Sequence, residues 1–177
     1  VLNVGHNQLT DLPMEALQHV PLQELDASNN ALIGSLFPLG ANAEHRTLRS
    51  LNIANNSLAA ITFHEHFDLP LLQTLNITNN HLTALQSLNG CPGLITLNAG
   101  ENKIWELPNG FTDLARLRHV NFSGNDLRLI PTEIATMEGL ESLVLAANPL
   151  QVKKYLTMNA SDIKRDLRAK LEPEPTN

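Results

Sequence analysis

The stretch Leu72-Gln73-Thr74-Leu75-Asn76-Ile77-Thr78-Asn79-Asn80-His81-Leu82 decides the fold of this chain. Alternate residues of a β-strand point to opposite faces, so Leu75 and Ile77 are predicted to face inward while Thr74 and Asn76 face outward. One such segment cannot bury its own apolar side chains. It therefore needs neighbours of the same shape on both sides, and the rest of the sequence is expected to supply them.

The same pattern recurs along the whole chain. Its asparagine returns after 23, 26, 24, 22, 23 and 23 residues, at Asn7, Asn30, Asn56, Asn80, Asn102, Asn125 and Asn148. This L-x-x-L-x-L-x-x-N-x-L period resembles the leucine-rich repeat. The resemblance implies an α/β solenoid, a right-handed β-α superhelix shaped like a horseshoe, with a concave parallel sheet of about seven strands.

The segments that connect the strands on the convex side carry an apolar residue at every third position. Pro108, Phe111, Leu114 and Leu117 are the clearest example. A spacing of three favours short 3₁₀ or single-turn helical pieces over long helices. The longest interval contains residues 33–43, where the pattern loosens, and its extra residues are expected in a loop on the convex side or rim.

The repeats are predicted to occupy residues 1–150 as one array of about seven units, the first of which is expected to be truncated. Beyond it, residues 151–171 are predicted to form a capping segment and an amphipathic helix, with Asn159 or Ser161 as its N-cap. Residues 172–177 are predicted to be a frayed tail. The apolar stripe that would cover the last repeat consists of Ile163, Leu167 and Leu171.

Composition narrows the classes of partner. The formal net charge is −6 and the acidic excess lies in the repeats, so nucleic acid is excluded as a partner because phosphates require neutralising Lys and Arg. Residues 69–100 lack Asp, Glu, Lys and Arg but are rich in Asn and Thr, which argues against a membrane span. No membrane partner is expected.

The cysteine count predicts the compartment. Cys91 is the only cysteine, so the chain has no intramolecular disulfide, and a reducing compartment is expected: the cytoplasm, with the nucleus as an alternative. Cys91 itself is predicted to be a buried apolar residue rather than a reactive thiol. Four Asn-x-Ser/Thr sites are predicted to stay unmodified: Asn55, Asn76, Asn121 and Asn159.

No arrangement of residues points to catalysis. The segment from Phe63 to Phe67 contains His64, Glu65 and His66, but an adjacent spacing without further ligands favours a solvated loop over a metal site. No nucleophile, base and orienting carboxylate occupy related positions, and no glycine loop could cradle a phosphate. The chain is therefore predicted not to be an enzyme, with no cofactor, no metal and no small-molecule substrate.

Two sets of asparagines have different expected roles. The motif asparagines, Asn7 through Asn148, should turn inward and bond loop backbone groups that would otherwise be buried unpaired. The outward positions of the strands are candidates for binding a partner, and the single tryptophan, beside the motif residue Ile104, is expected as an exposed anchor on the rim. The candidate binding residues are Asn52, Asn76, Asn98, Asn121, Thr74, Thr96, His119 and Trp105.

The outward asparagines leave two interpretations open. They could form a polar shelf for an extended protein partner, or a ladder of amides that satisfies itself. Because neighbouring strands lie about 4.8 Å apart, the row would extend roughly 30 Å across the sheet.

The two most regular repeats, at residues 102–111 and 125–134, resemble the plant intracellular Ras-group-related and Ras-binding scaffold proteins. The end of the chain, from Asn148 to the tail helix, is most similar to leucine-rich repeat-containing protein 40. These resemblances imply a scaffold that binds a protein partner without catalysis. The absence of proline after Ile61 and Leu85 is instead similar to phosphatase-1 regulators, so a regulatory or recruiting part of a phosphatase or ubiquitin-ligase complex is the alternative.

Overall fold

The computed structural model of the protein describes residues 1–17, 19–36, 45–61, 69–85 and 88–171. In these ranges a parallel sheet contains seven short strands, one per repeat, in sequence order. The predicted solenoid is thereby confirmed. The strands are β1 (Leu2–Asn3), β2 (Glu24–Asp26), β4 (Ser50–Asn52), β6 (Thr74–Asn76), β7 (Thr96–Asn98), β8 (His119–Asn121) and β9 (Ser142–Val144).

The register of the sheet stacks equivalent residues of successive repeats. Leu51 pairs with Leu75, and Leu75 with Leu97, so the inward leucines form one continuous column. Each strand ends before the second inward residue that the alternation predicted; in the fourth repeat, for example, Ile77 lies beyond the end of β6. The Ile77 amide nevertheless donates to the Asn98 carbonyl at 2.8 Å, so hydrogen bonding between repeats continues past the strand. Ile77 is completely buried, as predicted.

Several of the described connections contain short helical pieces, as the spacing of three predicted. The 3₁₀ helices are Phe111–Asp113, Thr132–Thr136 and Lys153–Leu156, and a single α-helical turn, α1, occupies Met14–Leu17. Phe111, Leu114 and Leu117 are buried in the core, which explains the three-residue period.

A second, two-stranded parallel sheet lies beside the main one and was not predicted. It pairs β3 (Ile33–Ser35) with β5 (Ser57–Ala60). Leu58 of β5 is buried, whereas Ile33 of β3 is 63% exposed. β3 therefore lacks the alternation of buried and exposed residues by which a half-buried strand is recognised in a sequence. Residues 37–43 of the predicted loop lie outside the described residues.

The residue before the motif asparagine has a left-handed backbone in all seven repeats, with φ between 53° and 63°. Non-glycine residues rarely adopt this conformation, although Asn and His tolerate it better than most. The chain turns sharply here to leave the strand. These residues are His6, Asn29, Asn55, Asn79, Glu101, Gly124 and Ala147.

The tail forms helix α2 (Ala160–Leu171), which packs on the last repeats. Asn159 is its N-cap, because the Asn159 Oδ1 accepts the Asp162 amide at 2.9 Å. Ile163 and Leu167 are buried in the core. Leu171 was predicted to share this stripe, but that is wrong: it is 51% exposed, because the helix continues for a turn beyond the apolar surface available to it.

Two basic side chains of α2, Lys164 and Arg168, form hydrogen bonds to the convex side of the array. The Lys164 ammonium donates to the carbonyls of Met137 and Leu140, at 3.2 and 2.8 Å. The Arg168 Nε donates to the Ala135 carbonyl at 3.1 Å. These carbonyls belong to the convex connection between β8 and β9. Charge-assisted hydrogen bonds therefore add to the apolar packing that holds α2 on the array.

Asp166 joins α2 to the preceding 3₁₀ helix. Its carboxylate accepts hydrogen bonds from the Lys154 ammonium and, at 2.6 Å, from the hydroxyl of the buried Tyr155. The Lys170 ammonium contacts the same hydroxyl at 2.7 Å. The bond from Lys154, followed by that from Tyr155, lowers the pKa of Asp166 to about 2.

We therefore expect acid to loosen the tail through Asp166. Its folded-state pKa lies below the ordinary value of 3.8, so its contribution is fully present above about pH 4 and is lost as the pH falls toward 2. In Asp166→Asn, stability at neutral pH should fall and its decrease between pH 4 and 2 should shrink. Urea unfolding over this range measures both, and an unchanged acid profile would contradict the assignment.

Candidate functional site

The motif asparagines that are buried connect each repeat to the one before it. The Asn102 Oδ1 accepts the Leu82 amide at 3.1 Å. Its Nδ2 donates to carbonyls of both repeats, those of Ile77, Ala99 and Gly100, at 3.0 to 3.2 Å. Asn56, Asn80, Asn125 and Asn148 repeat this geometry.

Asn30 and Asn7 sit at the open end of this ladder. Asn30 makes the same bonds, to the Leu9 amide and the Val4 carbonyl, but is half-buried. Asn7 is exposed and donates only to its own repeat, to the carbonyls of Val4 and Gly5.

The outward asparagines of the main sheet stand in one row in register. Asn52 pairs with Asn76, Asn76 with Asn98, and Asn98 with Asn121. All four are half-buried and lie on the face opposite the leucine column. Asn3 and Asp26 extend the row at one end, and Val144, which is 41% exposed, ends it at the other.

The amide orientation in this row is set by the backbone of the same repeat. The Oδ1 of Asn76 accepts the Thr78 amide at 3.2 Å, and that of Asn121 accepts the Ser123 amide at 2.9 Å. Asn52 does the same with the Ala54 amide at 3.3 Å. The self-satisfying interpretation thus describes these three amide oxygens and the nitrogen of Asn52, which bonds to Asp26 in the same row. The nitrogens of Asn76 and Asn121 point away from the bonds to their own backbone.

Asp26 occupies the same position in the second repeat and behaves alike. Burial by itself raises the pKa of its carboxyl, but hydrogen bonds from the amide and hydroxyl of Ser28 and from the Asn52 Nδ2 outweigh it and lower the pKa. The Asn52 Nδ2 lies 3.2 Å from the Asp26 Oδ1.

A second outward row runs beside the first. Thr74 pairs with Thr96, and Thr96 with His119. Thr74 and Thr96 are half-buried, while His119 is exposed. Arg118, next to His119, pairs with the Glu141 carboxylate at 2.9 Å. The structure therefore brings seven of the eight candidate binding residues onto one face.

Trp105, the eighth candidate, lies outside the two rows. It is 56% exposed, and its amide bonds to the Thr83 carbonyl of the preceding repeat at 3.3 Å. This places it in the segment after the motif asparagine, at the side of the array. Leu129, one repeat further along, is also exposed.

A chain of amides that sequence reasoning missed runs along the left-handed positions. The Asn55 Nδ2 donates to the Asn29 Oδ1 at 3.1 Å, and the Asn79 Nδ2 donates to the Asn55 Oδ1 at 2.9 Å. The only signal was the doubled asparagine, as in Asn79-Asn80, which marks a left-handed residue followed by a motif asparagine.

The structure gives no support to a reactive thiol or a metal site among the described residues. Cys91 is completely buried, as expected of an apolar core residue. Within the described ranges, no group of three or more His, Cys, Asp or Glu side chains could hold a metal ion. The segment with His64, Glu65 and His66 lies outside those ranges. In the described part of the chain, no helix is long and apolar enough to cross a membrane.

Similar proteins carry the same repeat. A family model described as Leucine Rich Repeat matches residues 116–137. Tsukushi of Gallus gallus is 32% identical over 151 residues, which are 84% of this chain and 41% of that protein. Adenylate cyclase of Schizosaccharomyces pombe is 33% identical over 84% of this chain, but only 9% of its own length is matched. The chain thus spans less than half the length of these curated relatives.

Solved structures share the fold. The leucine-rich-repeat ectodomain of the membrane receptor kinase GASSHO1/SCHENGEN3 of Arabidopsis thaliana superposes with a TM-score of 0.56. The superposition covers 83% of this chain and 21% of that one, at 21% identity. Repeat period, fold and sequence similarity agree that the chain carries leucine-rich repeats and folds as a leucine-rich-repeat solenoid.

Proposed function

We propose that this chain is a protein-binding module that takes a protein partner on the outward face of its main sheet, with Trp105 as a peripheral anchor, and that it performs no catalysis. The observation that carries the proposal is the orientation of the outward Asn52, Asn76 and Asn121, whose oxygens are held by their own backbone. Such side chains lose little conformational entropy when a partner docks, so their contacts contribute more fully to affinity.

The similar proteins support binding rather than chemistry. The Arabidopsis receptor structure is described as a complex with CASPARIAN STRIP INTEGRITY FACTOR 2, so this fold holds a partner in that protein. The activity named for adenylate cyclase does not extend to this chain, because the matched part is 9% of that protein.

The test blocks the face with longer side chains. In a triple variant, Asn76, Asn98 and Asn121 each become Glu, which extends each side chain over the row. We expect at least about a tenfold loss of affinity for a partner that is first captured by cross-linking, identified, and then rebound as a purified protein. The unfolding midpoint should change little, because the three side chains face outward.

A matched control carries the same three charges on the convex side, at the exposed Asn109, Ala115 and Thr136. It should bind as the parent does. If the two triple variants bound the purified partner with equal affinity, the outward face of the main sheet would not be the binding surface.

The kind of scaffold remains a prediction. We propose a scaffold of the Ras-group-related or repeat-containing protein 40 type, supported by the regular repeats at residues 102–111 and 125–134. The relatives named above are of other kinds. They also give no support to the alternative of a regulatory or recruiting part of a phosphatase or ubiquitin-ligase complex.

We also propose that the protein works in a reducing compartment, the cytoplasm or the nucleus. The support is the single cysteine, Cys91, which is buried. We expect protein from its native source to keep its mass on endoglycosidase treatment. Asn55 and Asn159 are the exposed sites at which attached glycans would be accessible, so a mass loss mapped to either one would reverse the assignment.

A further inference from the structure

Two amides of the outward asparagine row, those of Asn76 and Asn121, present hydrogen-bond donors on the outward face. An amide has one oxygen and one NH₂ group, and the backbone amide two residues further on can bond only to the oxygen. The nitrogens of Asn76 and Asn121 are therefore directed away from their own backbone. These two amides have a defined orientation because the backbone bonds disfavour an amide flip.

Charge on this face differs from charge on the rest of the repeats. The four strands β4, β6, β7 and β8 contain no Asp or Glu, and His119 is the one titratable residue in them. Arg49 and Arg118 directly precede the first and the last of these strands, and both are exposed. Acidic residues border the window on either side, at Asp26 and Glu141. An uncharged to basic window thus exists within a chain of formal net charge −6.

We propose that this window reads hydrogen-bond acceptors, and that the partner segment it takes is an extended peptide rich in Asp and Glu. The inference rests on the proposed function and names the chemistry of the partner. A carboxylate accepts several hydrogen bonds and has no donor of its own, so it complements a row of NH₂ groups. Asn76 and Asn121 are two rungs apart in the row, and neighbouring rungs lie about 4.8 Å apart, so an extended peptide that runs along the row can place a carboxylate at each amide.

The acidic net charge of the chain does not oppose this at physiological salt. The Debye length there is about 8 Å, so charges on distant repeats are screened while groups in contact are not. The asparagines, Arg118 and His119 act at contact distance. Arg118 shares its charge with Glu141, which leaves the amide donors as the main recognition element.

The test replaces donors without changing shape. Asp is nearly isosteric with Asn, and Asp26 already shows that a carboxylate in this row accepts the same backbone bond, from the Ser28 amide at 2.9 Å. The variant Asn76→Asp with Asn121→Asp therefore keeps the fold and the bonded oxygen but loses both NH₂ groups. Asn3→Asp makes the same change in β1, outside the window, and serves as the matched control.

The probes are three short fluorescent peptides that alternate Ser with Glu, Gln or Lys, measured by anisotropy at about 0.15 M salt. We expect the Glu peptide to bind at least about tenfold more tightly than the Gln peptide. The double Asp variant should lose about tenfold for the Glu peptide, and the Asn3→Asp control less than about twofold. Equal binding of the Glu and Gln peptides, preference for the Lys peptide, or an unaffected double variant would each overturn the inference.

Failure here is distinguishable from failure of the proposed function. If the triple Glu variant loses its purified partner while the peptides show no acidic preference, the face binds protein and only the acceptor chemistry is wrong. If the triple Glu variant keeps its partner, the face itself is wrong. Unchanged thermal unfolding of the double Asp variant verifies that its effect arises at the surface.

Discussion

Replacing Asn102 with Leu is expected to lower the free energy of unfolding by about 3 kcal/mol. The Leu82 amide would lose its acceptor in a buried site, where leaving one group unpaired costs about 1–3 kcal/mol. The three carbonyls that accept from the Asn102 Nδ2 each keep another donor. For instance, the Ile77 carbonyl still receives the Asn80 Nδ2, and the Ala99 carbonyl that of Asn125. Their remaining lone pairs are nevertheless desolvated, which adds to the loss.

The control uses the same motif position where the environment differs. Asn7 is exposed and bonds only within its own repeat, so Asn7→Leu should cost less than about 1 kcal/mol. Chemical denaturation of both variants gives the two free energies. If the two losses were equal, the buried ladder would not be what couples successive repeats, and the sharing of carbonyls between neighbouring asparagines would have no energetic role.

Replacing both Ile163 and Leu167 with Asp is expected to detach the tail helix and lower the unfolding free energy by at least about 4 kcal/mol. Both side chains are buried against the core, and an unpaired carboxylate there carries a large desolvation penalty. For a domain of this size, that loss corresponds to a midpoint lower by about 8–16 °C. In a solenoid each repeat touches only its neighbours, so the loss should begin in the last repeats.

Leu171→Asp is the control for this prediction. Leu171 belongs to the same helix and the same four-residue spacing but is 51% exposed, so its replacement should change stability by less than about 0.5 kcal/mol. Thermal unfolding compares the variants, and hydrogen exchange at the amides of β9 tests where unfolding begins. A midpoint unaffected by the double change would mean that α2 does not stabilise the array.

The inward positions of the array were predictable because they depend on one short period. Leu75 and Ile77 had to be buried once the strand alternation was recognised, and every other repeat applied the same rule. The cap was predictable for a similar reason, since an N-cap residue and a four-residue apolar spacing are local signals. The prediction for Leu171 was wrong because the spacing does not tell how far the core surface extends beneath a helix.

The positions of the residues proposed for binding were predictable, but the orientation of their amide groups was not. Period alone puts Asn76 and Asn121 on the outward face. Their polarity appears only when the backbone amides of Thr78 and Ser123 are in place, because an asparagine can present either end of its amide.

The repeat pattern of the sequence was enough to predict a solenoid with a leucine column, an inward asparagine ladder and an outward polar face, because each follows from a regularly recurring repeat. Two features became visible only in the tertiary structure: the two-stranded sheet of Ile33–Ser35 with Ser57–Ala60, and the chain of amides through Asn29, Asn55 and Asn79. The partners in both features come from different repeats. They meet only when stacking fixes the register, which no local stretch of sequence encodes.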